Sequence, residues 1–234
     1  MRPRIASLLS IPVLTFLTLS SSSAAGADQV DVKVLCFPKT ADVPTIELLV
    51  GPEKVEEIKL QAHEFTLPTK VPRLPVWKFG KSGTDGEGNF TFTTYAEFQP
   101  ADLKRQLLVF IREGPKNEDG FRIRALDPKT LRGKQYHLTN LTTGPIAGTI
   151  GGKNFKLTPG SHTTVKPEAD RGKNLCFASL SYLRNGKART FFSSNWKLRE
   201  RSRVLIFIYN TSGQQSPRIH SVVDPVRPPA EANP

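Results

Sequence analysis

Two stretches of this chain, LLVFIREGPKNEDGFRIRALDP from Leu107 to Pro128 and VLIFIYNTSGQQSPRIHSVVDP from Val204 to Pro225, write one pattern twice without a gap. Each is an apolar run, a polar loop, a second run and Asp-Pro, and Val204 lies 97 residues after Leu107. A strand, a hairpin loop and a returning strand produce that pattern. Extended backward, YAEFQPADLKRQLLVFI (Tyr95 to Ile111) lies over FSSNWKLRERSRVLIFI (Phe192 to Ile208) at the same offset. Further back, FTLP from Phe65 matches FKLTPG from Phe155 at an offset of 90. Loop insertions between copies of one fold shift an offset in this way, which points to an internal duplication.

The remaining segments have strand character. Val30, Val32, Val34 and Cys36 alternate with Asp31, Lys33 and Leu35, a period of two. NFTFTTYAEF from Asn89 is aromatic and β-branched, and GKSGTDGEG before it has turn composition. KARTFFSSNW follows Asn185-Gly186, a hairpin signal, and Gly151-Gly152 reads as another strand-to-strand turn. VEEIKLQAHEF is the nearest approach to a helical face, and it fits two strands equally well. With 19 Pro and 17 Gly the chain is punctuated too often for long helices. The expected fold is all-β: two tandem antiparallel β-sandwich (Ig-like) domains related by an internal repeat. They should span residues 28–127 and 128–224, with the boundary in DPKTLRGK, Asp127 to Lys134. The two quoted stretches are then the closing hairpins of the two domains.

The ends stand outside that fold. Arg2 and Arg4, then IASLLSIPVLTFLTL from Ile5 to Leu19, then SSSAAGA up to Ala27 have the layout of a secretory signal peptide, residues 1–27. The apolar run is broken by Pro12 and is shorter than the roughly 20 residues needed to span a bilayer. Export to the periplasm, the cell surface or the medium is expected. PVRPPAEANP, residues 225–234, has four prolines and almost nothing to bury, so it is expected to be disordered. In an oxidising compartment Cys36 and Cys176 could pair, closing a loop worth about 5 kcal/mol in the chain-entropy model. Both also sit in apolar strand-like runs, where a free thiol packs as a small hydrophobe.

The net charge is confined to one half. From Asp28 to Asp127 there are 14 Lys and Arg against 16 Asp and Glu, a net of −2; from Pro128 to Pro234 there are 17 against 5, a net of +12. The second half is therefore expected to meet an anionic polymer or an acidic protein surface. Lys197, Arg199, Arg201 and Arg203 occupy alternate positions in WKLRERSRVLIF, so an extended backbone would set them on one face. Lys187 and Arg189 precede them, and Trp196 is nearby. Cations interleaved with aromatics can grip polyanions, while cations on an exposed strand also guard it against edge pairing.

No local motif specifies chemistry. His63, His137, His162 and His220 lack metal-ligand spacing. There is no G-x-S-x-G elbow, no phosphate-binding loop and no nucleic-acid module signature. Asp85, Glu87 and Asn89 are spaced like alternate calcium ligands, but Phe90 replaces the required Gly and Ala96 the closing Glu. That stretch reads as a hairpin loop. Asp127 and Asp224, each before Pro, read as turn residues. Asn89, Asn140 and Asn210 begin glycosylation sequons.

NLTTGPIAGTIGGKNFKLTPGSHTTVKP, from Asn140 to Pro167, has a strand ending N-L-T, a short apolar strand, a Gly turn, F-x-L-x-P-G and a T-V strand. It resembles secreted bacterial β-sandwich modules of uncharacterised function, over Tyr136 to Tyr209 and more faintly over Val30 to Arg112. The earlier copy lacks the N-L-T and Gly-Gly elements. The resemblance implies a fold and carries no site. The functional expectation is a non-enzymatic envelope protein without a cofactor, binding through Lys187, Arg189, Lys197, Arg199, Arg201, Arg203 and Trp196. A head-to-tail assembly subunit is the alternative, and a hydrolase built from distant residues is the least supported.

Overall fold

The computed structural model describes residues 28–38, 45–114, 119–127, 133–168, 174–211 and 213–225. The expected signal peptide, residues 128–132 of the expected boundary and residues 226–234 of the expected tail lie outside the described residues. Among the described residues there are sixteen strands and no α-helix. In the first half these are Gln29–Phe37 (β1), Thr45–Gly51 (β2), Lys54–Lys59 (β3), Thr69–Pro72 (β4), Trp77–Thr84 (β5), Phe90–Phe98 (β6), Arg105–Arg112 (β7) and Phe121–Leu126 (β8). The second half has Gln135–Asn140 (β9), Ile146–Ile150 (β10), Lys153–Leu157 (β11), His162–Val165 (β12), Leu175–Arg184 (β13), Lys187–Lys197 (β14), Ser202–Tyr209 (β15) and Arg218–Pro225 (β16).

These strands form four sheets of four. The orders are β4-β1-β7-β8 and β3-β2-β5-β6 in the first half, β12-β9-β15-β16 and β11-β10-β13-β14 in the second. Adding eight to each strand number converts one half into the other. The agreement extends to direction: β1 runs parallel to β7, β9 runs parallel to β15, and the other neighbouring strands are antiparallel.

Among the described residues three apolar cores fill the spaces between sheets. Val32, Val34, Leu108 and Phe110 meet Ile46, Leu48, Trp77 and Phe79 inside the first half. Leu138, Val204, Ile206 and Ile208 meet Ile146, Ile150, Cys176 and Leu180 inside the second. The third core lies between the halves, where Leu35, Phe37, Leu107 and Val109 meet Leu205, Phe207 and Val222. Phe37 stacks on Phe207 across it with ring centroids 4.9 Å apart. This seam accounts for the two quoted runs. In β7 every residue from Gln106 to Ile111 is buried, and in β15 every residue from Arg203 to Ile208. A strand covered on both faces is written as a continuous apolar run rather than as an alternation.

Double coverage also explains why the 97-residue offset is out of phase with the fold. It lays Leu107, which faces the seam, over Val204, which faces the internal core of the second half. Side chains alternate with period two, so a one-residue slip exchanges the faces. Where both faces are apolar, hydrophobicity cannot detect that slip. The structure supplies a better landmark. The β5–β6 ladder pairs Phe79 with Ala96 and then Gly80 with Thr94, skipping Tyr95. The β13–β14 ladder pairs Leu180 with Phe192 and then Ser181 with Thr190, skipping Phe191. Each bulge thus expels an aromatic that packs against its own core. Matching Tyr95 to Phe191 sets an offset of 96 and lays Leu108 over Val204, core face on core face.

Local expectations are met at the turns. Asn185 and Gly186 have φ of 51° and 71°, the pair of positive angles a two-residue hairpin requires. VEEIKLQAHEF resolves into β3 and a following loop. That loop runs beside β1, with Thr66 donating its backbone N–H to the Val34 carbonyl, and it carries His63 and Phe65 to the seam. The cysteine pairing does not form: neither thiol is in a disulfide, and Cys36 lies in the core of the first half and Cys176 in that of the second. Burial raises the Cys36 pKa, as expected for a thiol packed as a hydrophobe.

Candidate functional site

The six cations singled out in the sequence do not share one face. β14 ends at Lys197, Leu198 turns into the core, and β15 begins at Ser202 in the opposite sheet of the same half. WKLRERSRVLIF is therefore a corner and not one extended strand. The expectation of a four-residue stripe fails because Leu198, Val204 and Ile206 all belong to the apolar core that both sheets enclose. Lys187, Arg189, Lys197, Arg199 and Arg201 are exposed; Arg203 is buried. Along β14, Arg189 pairs in register with Tyr182, whereas Lys197 pairs with Leu175. Trp196 packs on Tyr136 at 4.9 Å and Phe192 at 5.3 Å, flanking the core.

β14 is an edge strand. Its cations at both ends and its bulge at Phe191 are the usual devices that stop an edge from recruiting another strand. It leads from the Asn185-Gly186 turn, and two adjoining clefts lie at that hairpin tip. One, of about 260 Å³, is walled by Pro145, Ala147, Leu183 and Ala188 with Lys156. The other, of about 430 Å³, is lined by Thr142, Thr143, Arg184, Asn185, Asn210 and Gln215. Tyr182 and Leu183 line both, and Leu183 is 55% exposed. None of the described residues lining either cleft is acidic. Cations, amides and hydroxyls thus surround a small apolar platform, with Lys187 and Arg189 on the adjoining strand. The Asn-Gly turn was legible in the sequence; the clefts were not, because their walls come from segments 73 residues apart, Thr142 to Gln215.

Arg203 has a different position. It follows the alternation of Leu205 and Phe207 and so faces the seam. There its guanidinium donates from Nε to Asp224 Oδ2 at 2.6 Å, and Lys33 Nζ, from the other half, donates to Asp224 Oδ1 at 2.7 Å. Asp224 is not a turn residue: it lies within β16 and is 2% exposed. The triad lines a groove of about 340 Å³ at the mouth of the seam, with Arg105, Glu64, Leu67 and Val223 around it. A carboxylate this deeply buried needs such partners.

Asp85 is a turn residue without metal-site geometry. Its Oδ1 accepts the backbone N–H groups of Asn89 and Glu87, both at 2.9 Å. The hydrogen bonds from Asn89 hold its carboxyl below the usual range. No group of three His, Cys, Asp or Glu able to hold a metal occurs among the described residues.

The histidines, scattered in sequence, form two pairs. His63 and His220 have ring centroids 6.1 Å apart, and His137 and His162 5.4 Å. His137 is buried, shares a 2.8 Å hydrogen bond with Thr164 through Nδ1, and leaves Nε2 buried without a partner. Burial, helped by the nearby Arg124 charge, lowers its pKa to about 4.

No protein-family model matches this chain, and no curated protein matches it in sequence.

Proposed function

We propose that this protein is an exported, non-enzymatic envelope protein that holds an anionic polymer through the basic surface of its second half. The reading continues that the two halves are copies of one Ig-like sandwich unit, of the kind found in secreted bacterial modules. The shared strand order and the bulges at Tyr95 and Phe191 support the duplication. The layout of residues 1–27 supports export.

The observation that carries the binding reading is where charge and clefts coincide. In a half with a net charge of +12, two clefts free of acidic lining residues adjoin exposed Lys187 and Arg189. An anionic chain lying on that tip meets Lys156 and Arg184 in the clefts and the apolar rings and methyls of Tyr182 and Leu183 beneath. Lys197, Arg199 and Arg201 extend the field at the other end of β14. Arg203 is withdrawn from the binding set, because its charge is committed to Asp224.

The test is retention of the purified protein on immobilised heparin, a sulfated polysaccharide probe, and on neutral dextran across a salt series. Saturable binding to heparin alone, weakening as salt rises but persisting at physiological ionic strength, is the expected result. Equal retention on both matrices, or loss of all binding by that salt, would reduce the charge to surface dressing. Capture by an acidic protein surface and not by heparin would overturn the polymer reading in favour of a protein partner.

A further inference from the structure

All four histidines of the chain lie along the seam between the halves, in two pairs on opposite flanks of the inner sheet β12-β9-β15-β16. On one flank His220 of β16 touches Phe37 of β1 at 5.3 Å and neighbours His63 of the β3–β4 loop. On the other, His137 of β9 and His162 of β12 face β8, from which Arg124 reaches Thr139 at 3.5 Å. Each pair joins one withdrawn ring, His220 or His137, to an exposed one, His63 or His162. The Nε2 atoms of both His137 and His220 are buried without a hydrogen-bond partner.

We propose that this seam is a proton-sensitive joint, which holds the two halves together at neutral pH and releases them as its histidines acquire charge. The two internal cores are not part of the joint, so each half keeps its sheets when the seam opens.

The charges around each pair make protonation costly while the seam is closed. His137 faces Arg124 and His162, with the neutral hydroxyls of Thr139 and Thr164 beside it; Arg122 adds further positive charge on β8. His220 faces His63, the Ala62 carbonyl and the rings of Phe37 and Phe207, its cross-strand partner. The carboxylate at this flank, Asp224, is already held by Lys33 and Arg203, and Glu64 stands exposed at the groove mouth. A proton on His137, which is buried, or on His220, which is half-buried, is therefore both poorly solvated and close to like charge.

The sign follows directly. Burial is the first cause that lowers the pKa of His137, His162 and His220 in the closed form; the Arg124 charge adds to it at His137 and His162, while at His220 the Ala62 carbonyl opposes it without reversing it. In the open form each returns toward about 6.5. The open form thus binds more protons, and stability of the seam is complete above about pH 6.5 and declines as pH falls from there toward 4. Up to three protons are taken up on opening, so the transition should be steeper than that of a single group.

Small-angle scattering of the full chain between pH 7.5 and 4.5, paired with far-ultraviolet circular dichroism, tests the joint. The maximum dimension should grow as pH falls while the β-sheet signal is retained. A His137→Gln/His220→Gln variant, which keeps only His162 of the three, should open at a lower pH than wild type. Should that variant fail to fold, His63→Gln/His162→Gln, which alters only exposed rings, must still move the opening midpoint to lower pH. A wild-type profile unchanged down to pH 4.5, loss of sheet signal together with the expansion, or an unshifted midpoint in the folded variants would overturn the proposal.

Discussion

The two halves share a strand order, a parallel pair in the inner sheet and a bulge at the same rung, yet one is nearly neutral and the other strongly basic. What they keep in common builds the fold: apolar positions that fill each core, positive-φ residues in the turns and a half-buried aromatic at each bulge. What separates them is exposed, where most substitutions change stability by less than about 0.5 kcal/mol. The fold therefore constrains the surface of the second half weakly, and its exposed cations are free to serve edge protection or binding.

The Asp-Pro positions sharpen the comparison most. Asp224 is buried between Arg203 and Lys33, whereas Asp127 is exposed at the end of β8. Asp224→Ala strands a buried guanidinium and should cost about 3–5 kcal/mol, measured by urea unfolding; Asp127→Ala should stay within about 0.5 kcal/mol. Equal effects would dissolve the distinction.

Next comes the seam, a core that the halves build jointly. Phe207→Ala removes a stacked ring from it and should cost about 3 kcal/mol, seen as a lowered Tm.

The bulge gives a third test, because the halves solve it differently. A Cβ at Gly80 would lie 1.9 Å from the Thr93 carbonyl oxygen, while Ser181 occupies the corresponding rung of the second half. Gly80→Ser should therefore cost about 1–3 kcal/mol by overpacking, whereas Ser181→Gly should cost no more than about 1 kcal/mol. Unfolding midpoints for the pair would show whether the two bulges are interchangeable.

The smallest expected effect on stability is at Arg201, exposed in the corner before β15. Arg201→Gln should leave the unfolding midpoint within about 0.5 kcal/mol of wild type while weakening retention on heparin.

Much of the fold was legible in the sequence, and its blind spots share a cause. Val30 to Cys36 and the Asn185-Gly186 turn declare themselves locally, through alternation and through positive φ. The phase of β7 against β15 does not, since Leu107 and Leu108 are equally apolar and only the partner sheet distinguishes seam from core. Arg203 was misread for a related reason: alternation with Arg201 presumes a continuous strand, and Leu198 entering the core breaks it. The triad with Lys33 spans 191 residues from Lys33 to Asp224, and the histidine pairs join strands that no local spacing connects. Such contacts are set by packing between halves and leave no periodic trace.

The most direct measurement removes equal charge from each half. One variant changes Lys187, Arg189, Lys197, Arg199 and Arg201 to Gln; the other changes Lys54, Lys59, Lys70, Lys81 and Lys104, all exposed on the first half. Both lose five positive charges, so bulk electrostatics alone would weaken heparin binding alike in the two. The account predicts that the second-half variant loses saturable binding and most of the salt dependence, while the first-half variant keeps both. Equal weakening in the two proteins would contradict it.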